Sequence, residues 1–132
     1  MQFKPIPQKD SMGCAVACVA SILGISYKKS LKFFGIKKAD KPNFYCRDIA
    51  KILNKKGFNY SYGKVIPKTE KYLKNSGTIV FIRRSKKFPF GHYLLKTKNG
   101  WMNSWINFPK IPIKAGFQKK LLGIPQWLIY KT

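Results

Sequence analysis

Acid is nearly absent from this chain. Its 132 residues hold four carboxylate side chains, Asp10, Asp40, Asp48 and Glu70, against 27 lysines and arginines. They are scattered, which argues against a two-carboxylate acid/base pair and against a carboxylate cage for a cation. Imidazole is scarcer still, with His92 alone. One histidine and three cysteines without a Cys-x-x-Cys pair argue against zinc. The ten glycines are dispersed and form no phosphate-cradling loop. No cofactor and no metal are expected. No apolar run approaches the ~20 residues of a bilayer span, and the start, Met1 to Pro7, lacks a signal-peptide core. The expectation is a cytoplasmic protein, or one exported or delivered without an N-terminal signal peptide.

What is present is a foldable, very basic chain. Hydrophobic residues make up 45% and aromatics 15%, enough for a packed core rather than a disordered basic tail. The length allows one core, so residues 1–132 are read as a single domain. An odd cysteine count favours a reducing compartment with at least one free thiol. The formal charge of +23 attracts polyanions: nucleic acid, anionic membrane or acidic peptides. Lysine-rich composition would give the same charge with no partner attached.

The hydrophobic pattern changes period along the chain. Gly13 to Leu23 is apolar nearly all round, which predicts a helix buried in the middle of the domain, with Ser11 as N-cap and Gly24 at its end. A short helix over Tyr27–Phe34, a loop over Lys37–Asn43 and a helix over Phe44–Lys56 follow, the last stopped by Gly57. Strands are then expected at Tyr60–Val65, Gly77–Ile82, His92–Thr97 and Trp101–Ile106. A helical turn near Thr69–Lys74 interrupts them, and Gln126–Tyr130 closes the sheet. Asn99-Gly100 reads as the hairpin turn. Helices first and an antiparallel sheet second make an α+β fold.

By elimination, the chemistry available is that of a thiol and an imidazole. A thiol nucleophile needs a base, a feature that lowers its pKa, and a donor for the oxyanion. Cys14 stands at a predicted helix N-terminus, where unpaired N–H groups would acidify it. Gln8 is six residues upstream, near enough to bring an amide N–H beside it, and His92 is the one available base. Cys18 lies one turn further along the helix and reads as core. Cys46 is a rival near another helix start, but no glutamine stands at the matching distance, so it reads as structural.

This order resembles the papain-like cysteine peptidases, above all the bacteriocin-processing, double-glycine peptidase group. That group carries Gln, five residues, then Cys at a helix start, a later His on a strand, then Asp or Asn. Gln8 to Cys14 keeps the spacing, with Ala15 where the group usually has Gly. The Josephin deubiquitinases are similar by pattern, in Cys-Ala-x-x-Cys and a Gly-His strand. The resemblance implies a papain-like single domain with N-terminal helices packed on a C-terminal antiparallel sheet. It implies Cys14 as nucleophile, His92 as base and Gln8 as oxyanion donor beside the Cys14 N–H. It also implies a thioester route to hydrolysis of a peptide or isopeptide bond.

The residue that orients the imidazole has two candidates. Asn103, in Asn103-Ser104-Trp105, matches the tripeptide that papain-like enzymes use around their orienting Asn. A turn centred on Asn99-Gly100 pairs Lys98 with Trp101 instead, sets Asn107 opposite His92, and leaves Asn103 about 13 Å away at strand rise. The loop Arg83–Phe90 runs into His92, so Arg83, Arg84, Lys86 and Lys87, with Trp105, are the candidate substrate contacts. The plainer alternative is a solvated loop over ordinary core aromatics. The expected partner is a peptide or protein substrate, acidic by charge complementarity. Two alternatives accompany it: a basic papain-fold RNA-cleaving (tRNase-type) toxin domain that binds nucleic acid and is held by an acidic immunity partner, and a non-catalytic binding module.

Overall fold

The computed structural model describes residues 3–35 and 45–132. Three helices come first: α1 (Cys14–Leu23), α2 (Tyr27–Phe34) and α3 (Cys46–Lys55). Six strands follow: β1 (Tyr60–Lys64), β2 (Ile79–Ile82), β3 (His92–Thr97), β4 (Gly100–Asn103), β5 (Gly116–Gln118) and β6 (Pro125–Lys131). A 3-10 turn over Glu70–Lys74 lies between β1 and β2. The expected loop Lys37–Asn43 and the expected helix start at Phe44 lie outside the described residues.

α1 owes its central place to its composition. Ala15 through Ile22 are all buried, so no polar stripe claims solvent. The chain enters it through a turn in which the Gly13 N–H donates to Asp10 O, and Gly13, not Ser11, is the N-cap. Gly13 has a steric reason to be glycine. A Cβ there would collide with Tyr27 Oη, which donates to Asp10 Oδ2 at 2.8 Å. α3 is built differently, with Ile49, Ala50 and Leu53 turned inward and Arg47, Lys51 and Lys55 exposed.

The sheet is antiparallel throughout, in the order β1-β6-β2-β3-β4-β5. One face packs on α1 and α3 through Ile79, Tyr93, Leu95, Met102 and Ile129. The other buries Val80, Ile82, Leu94, Trp101 and Leu128 beneath Phe88 and the loops. The C-terminal strand, expected as the last of the sheet in sequence, takes an interior place in it. β6 is inserted between β1 and β2, which explains why Leu128 and Ile129 have no exposure. β5 was not expected; its three residues are only half-buried and carry no apolar alternation.

The β3–β4 hairpin corrects the expected turn. Thr97 pairs with Gly100, Lys96 with Trp101 and Leu95 with Met102, so Lys98-Asn99 is the turn and Gly100 opens the strand at φ 110°. The Thr97 hydroxyl fastens it, donating to Gly100 O and accepting from the Asn99 N–H. This register is shifted by two residues from the Asn99-Gly100 turn. It brings Asn103 onto the face of β3 that carries His92, one diagonal step away.

Candidate active site

Cys14 opens α1, and its sulfur accepts a hydrogen bond from the Tyr93 backbone N–H at 3.4 Å. The first residue of the central helix therefore meets β3 at the residue after His92. Position at the helix start has the expected sign: the N–H groups of Tyr93, Ala15 and Cys14 itself all favour the thiolate. Burial is the larger effect, and it pushes the thiol up to about 11. The resting sulfur is a thiol, in contrast to the acidified cysteine expected from sequence.

His92 is held from the far side of its ring. Its Nε2 lies 2.8 Å from Asn103 Oδ1. The Trp105 N–H donates to the same Oδ1, and Asn103 Nδ2 donates to Gln118 Oε1, so the amide of Asn103 has one allowed orientation. An acceptor facing Nε2 puts the ring proton there and leaves the Nδ1 lone pair free to take a proton. Phe88 stacks on the imidazole at 4.7 Å between centroids, nearly parallel, and Phe108 packs on Phe88. This enclosure, more than the Asn103 bond or the charge of Lys87, sets the base strength. It lowers the imidazole pKa to about 4, so the ring is neutral at pH 7.

Gly91 positions the histidine. It has φ 77°, and a Cβ there would strike the Phe81 ring. Only glycine allows the chain to leave the basic loop and enter β3 at this point.

Gln8 is buried and fully bonded. Its backbone N–H donates to Ser104 O, and its Oε1 accepts from the Ser104 hydroxyl at 2.7 Å. Its amide hydrogens go to Asp10 O at 2.9 Å and Ser11 O at 3.2 Å, bracing the turn before Cys14. Gln8 thus ties the cysteine's turn to Ser104, the neighbour of Asn103. Asn107 lies elsewhere: its amide donates to Pro112 O and accepts from the Lys114 N–H in an outer loop.

An apolar cleft of about 540 Å³ opens over Cys14, lined by Phe81, Phe90, Tyr93 and Trp127 among others. Two guanidinium side chains, Arg47 and Arg84, belong to its lining. Of the five expected substrate contacts, only Arg84 reaches it. Arg83 and Lys86 are exposed outside the lining, Lys87 lies over the Phe88 ring, and Trp105 donates to Lys110 O. Sequence reasoning missed Gln118, which follows from missing β5. It also missed Arg47, whose helix was recognised but whose face was not. Cys46 borders the cleft with its sulfur 3.8 Å from Tyr93 Oη, and Cys18 is buried in the core.

Three helices followed by this six-stranded antiparallel sheet are the papain-like peptidase-domain fold. The chain is similar to the solved peptidase domain of Streptococcus ComA, a bi-functional ABC transporter involved in a quorum sensing pathway. The TM-score is 0.58 at 19% identity, over 99% of this chain and 100% of that one. No known sequence family and no curated protein sequence matches this chain. Among the described residues no single helix is long and apolar enough to cross a membrane, and no cluster of His, Cys, Asp and Glu could hold a metal ion.

Proposed function

We propose that this protein is a thiol peptidase in which Cys14 attacks a peptide carbonyl. The observation that carries the reading is the pairing of a cleft-facing cysteine at a helix start with a strand whose histidine is locked to Asn103. The peptidase-domain fold of the ComA structure supports it. A non-enzymatic domain has little reason to lock an imidazole in one tautomer at the residue before the one whose N–H meets a thiol.

With thiol and imidazole both neutral at rest, the proton moves during attack. Sγ adds to the carbonyl carbon as its proton passes to His92 Nδ1, and Asn103 steadies the imidazolium that forms. The oxyanion receives the Cys14 N–H, and the Gln8 amide turns one hydrogen to it, releasing the longer bond to Ser11 O. His92 then protonates the departing amine, and water hydrolyses the thioester. Arg84 at the cleft lining favours substrates with acidic side chains.

The test is labelling with a peptidyl electrophile that carries apolar residues beside its reactive carbon, with the modified residue mapped by mass spectrometry. Cys14 should be labelled ahead of Cys18 and Cys46, and His92→Ala should remove that preference. Labelling of Cys46 at the same rate, or indifference to His92, would refute the peptidase reading.

A further inference from the structure

Beside the catalytic cleft runs a second groove of about 500 Å³, between α3 and β1, lined by Arg47, Lys51, Asn54, Lys55, Tyr60 and Tyr62 among others. Arg47 and Tyr62 line both spaces, so the two adjoin. We infer that this groove seats an extended, acidic segment of the substrate peptide as an added strand on β1.

The backbone of β1 supplies the first argument. β1 is an edge strand paired only with β6. Val65 N–H bonds Gln126 O and Thr132 N–H bonds Asn59 O, in register with the Tyr60–Lys131 pairing. The odd-numbered residues of this strand therefore bond β6, while Tyr60, Tyr62 and Lys64 direct their N–H and C=O groups away from it. Asn54 takes both groups of Tyr60, and the Thr69 hydroxyl donates to Lys64 O. Among the described residues nothing meets the N–H and C=O of Tyr62. The open place on the edge is thus short, bounded at both ends, and located where the groove adjoins the cleft.

Charge supplies the second argument. Arg47, Lys51 and Lys55 follow one another at four-residue intervals on α3, and all three are exposed. The spacing is ~6 Å per interval along a helix. Alternate side chains of an extended peptide are ~6.6 Å apart, so carboxylates at every second position meet successive cations. The only ion pair among the described residues is Arg47 with Asp48, at 3.8 Å, with the arginine largely exposed. Lys51 and Lys55 have no carboxylate at ion-pair distance there.

The inference extends the peptidase reading, since it names the substrate's chemistry, but its test needs no turnover. A fluorescein-labelled peptide of alternating Glu and Thr is titrated with the protein and followed by anisotropy, beside an isomer with its glutamates in one block. The alternating peptide should bind more tightly. Lys51→Gln/Lys55→Gln should weaken it roughly tenfold, while Lys28→Gln/Lys29→Gln on α2, which removes equal charge, should not. Tyr62→Pro should weaken it beyond Tyr62→Ala, because both lose the ring and only proline loses the outward N–H. Equal Kd for the two isomers, or equal loss from both lysine pairs, overturns the groove. So does oligouridylate that binds through Lys51 and Lys55 more tightly than the peptide. Binding without Cys14 labelling would retain the groove and defeat the peptidase; labelling with groove-independent binding would do the reverse.

Discussion

The two halves of the site are built on opposite principles. On the imidazole side His92, Asn103, Ser104 and Gln8 are all buried, and hydrogen bonds to the side chains hold them in place, with Nδ1 of His92 left free. On the thiol side the cleft is open and aromatic, with Arg47, Arg84, Tyr45, Tyr62 and Phe90 exposed. On the proposed peptidase reading, the difference separates chemistry from recognition. Groups that must hold a proton at a fixed atom are immobilised, because misplacement costs rate steeply. Groups that select a substrate remain in contact with solvent, where each contributes little and can be changed without loss of the fold.

Substitution of the nucleophile should give the largest effect. Cys14→Ser keeps the shape and should lower peptide hydrolysis on the order of 10⁴-fold, measured as kcat/KM. Retention of more than a tenth of the activity would remove Cys14 from the mechanism.

The buried half should break next, and more sharply than the outer loop. Asn103→Ala leaves Nε2, the Trp105 N–H and Gln118 Oε1 without their partner, which should cost about 1–3 kcal/mol of stability for unmet groups and roughly 100-fold in kcat. Asn107→Ala, with its exposed loop contacts, should leave kcat within about twofold. Similar losses in the two variants would erase the distinction.

Acid should act through the same half. The folded His92 titrates near 4 against an ordinary 6.5, so between those values the unfolded chain binds the extra proton. Its stability contribution is present in full above pH 6.5 and is lost as pH falls towards 4, by up to about 3 kcal/mol. His92→Gln should flatten that part of the urea-midpoint profile; parallel profiles would show that the imidazole is not held neutral.

The open half should give the smallest change. Arg84→Gln should raise KM for an acidic peptide several-fold, leave kcat nearly unchanged, and lose its effect in high salt. A fall in kcat instead would place Arg84 in the chemistry.

Local signals made much of this legible. α1 was readable from its apolar sequence and Gly24, and α3 from its inward stripe, because both patterns express burial by neighbours along the chain. The register of one hairpin was not. Asn99-Gly100 is a strong turn signal, but the Thr97 hydroxyl and the β4–β5 pairing place the turn one residue earlier. That decides between Asn103 and Asn107 for contact with His92. Gln118 was out of reach for a related reason, since its strand gains meaning only from pairing with β4.

Sequence by itself argued against a carboxylate pair, put Cys14 at the start of a buried helix and put His92 on a strand. Composition and periodicity carry that much. Tertiary structure decided the protonation state of both groups and the shape of what lies beside them. Desolvation depends on what covers a side chain, and the rings over His92 and the packing around Cys14 come from segments far apart in the chain. The cationic groove has the same origin: its helix and its strand were each visible alone, and only folding makes the strand an edge and sets the two side by side.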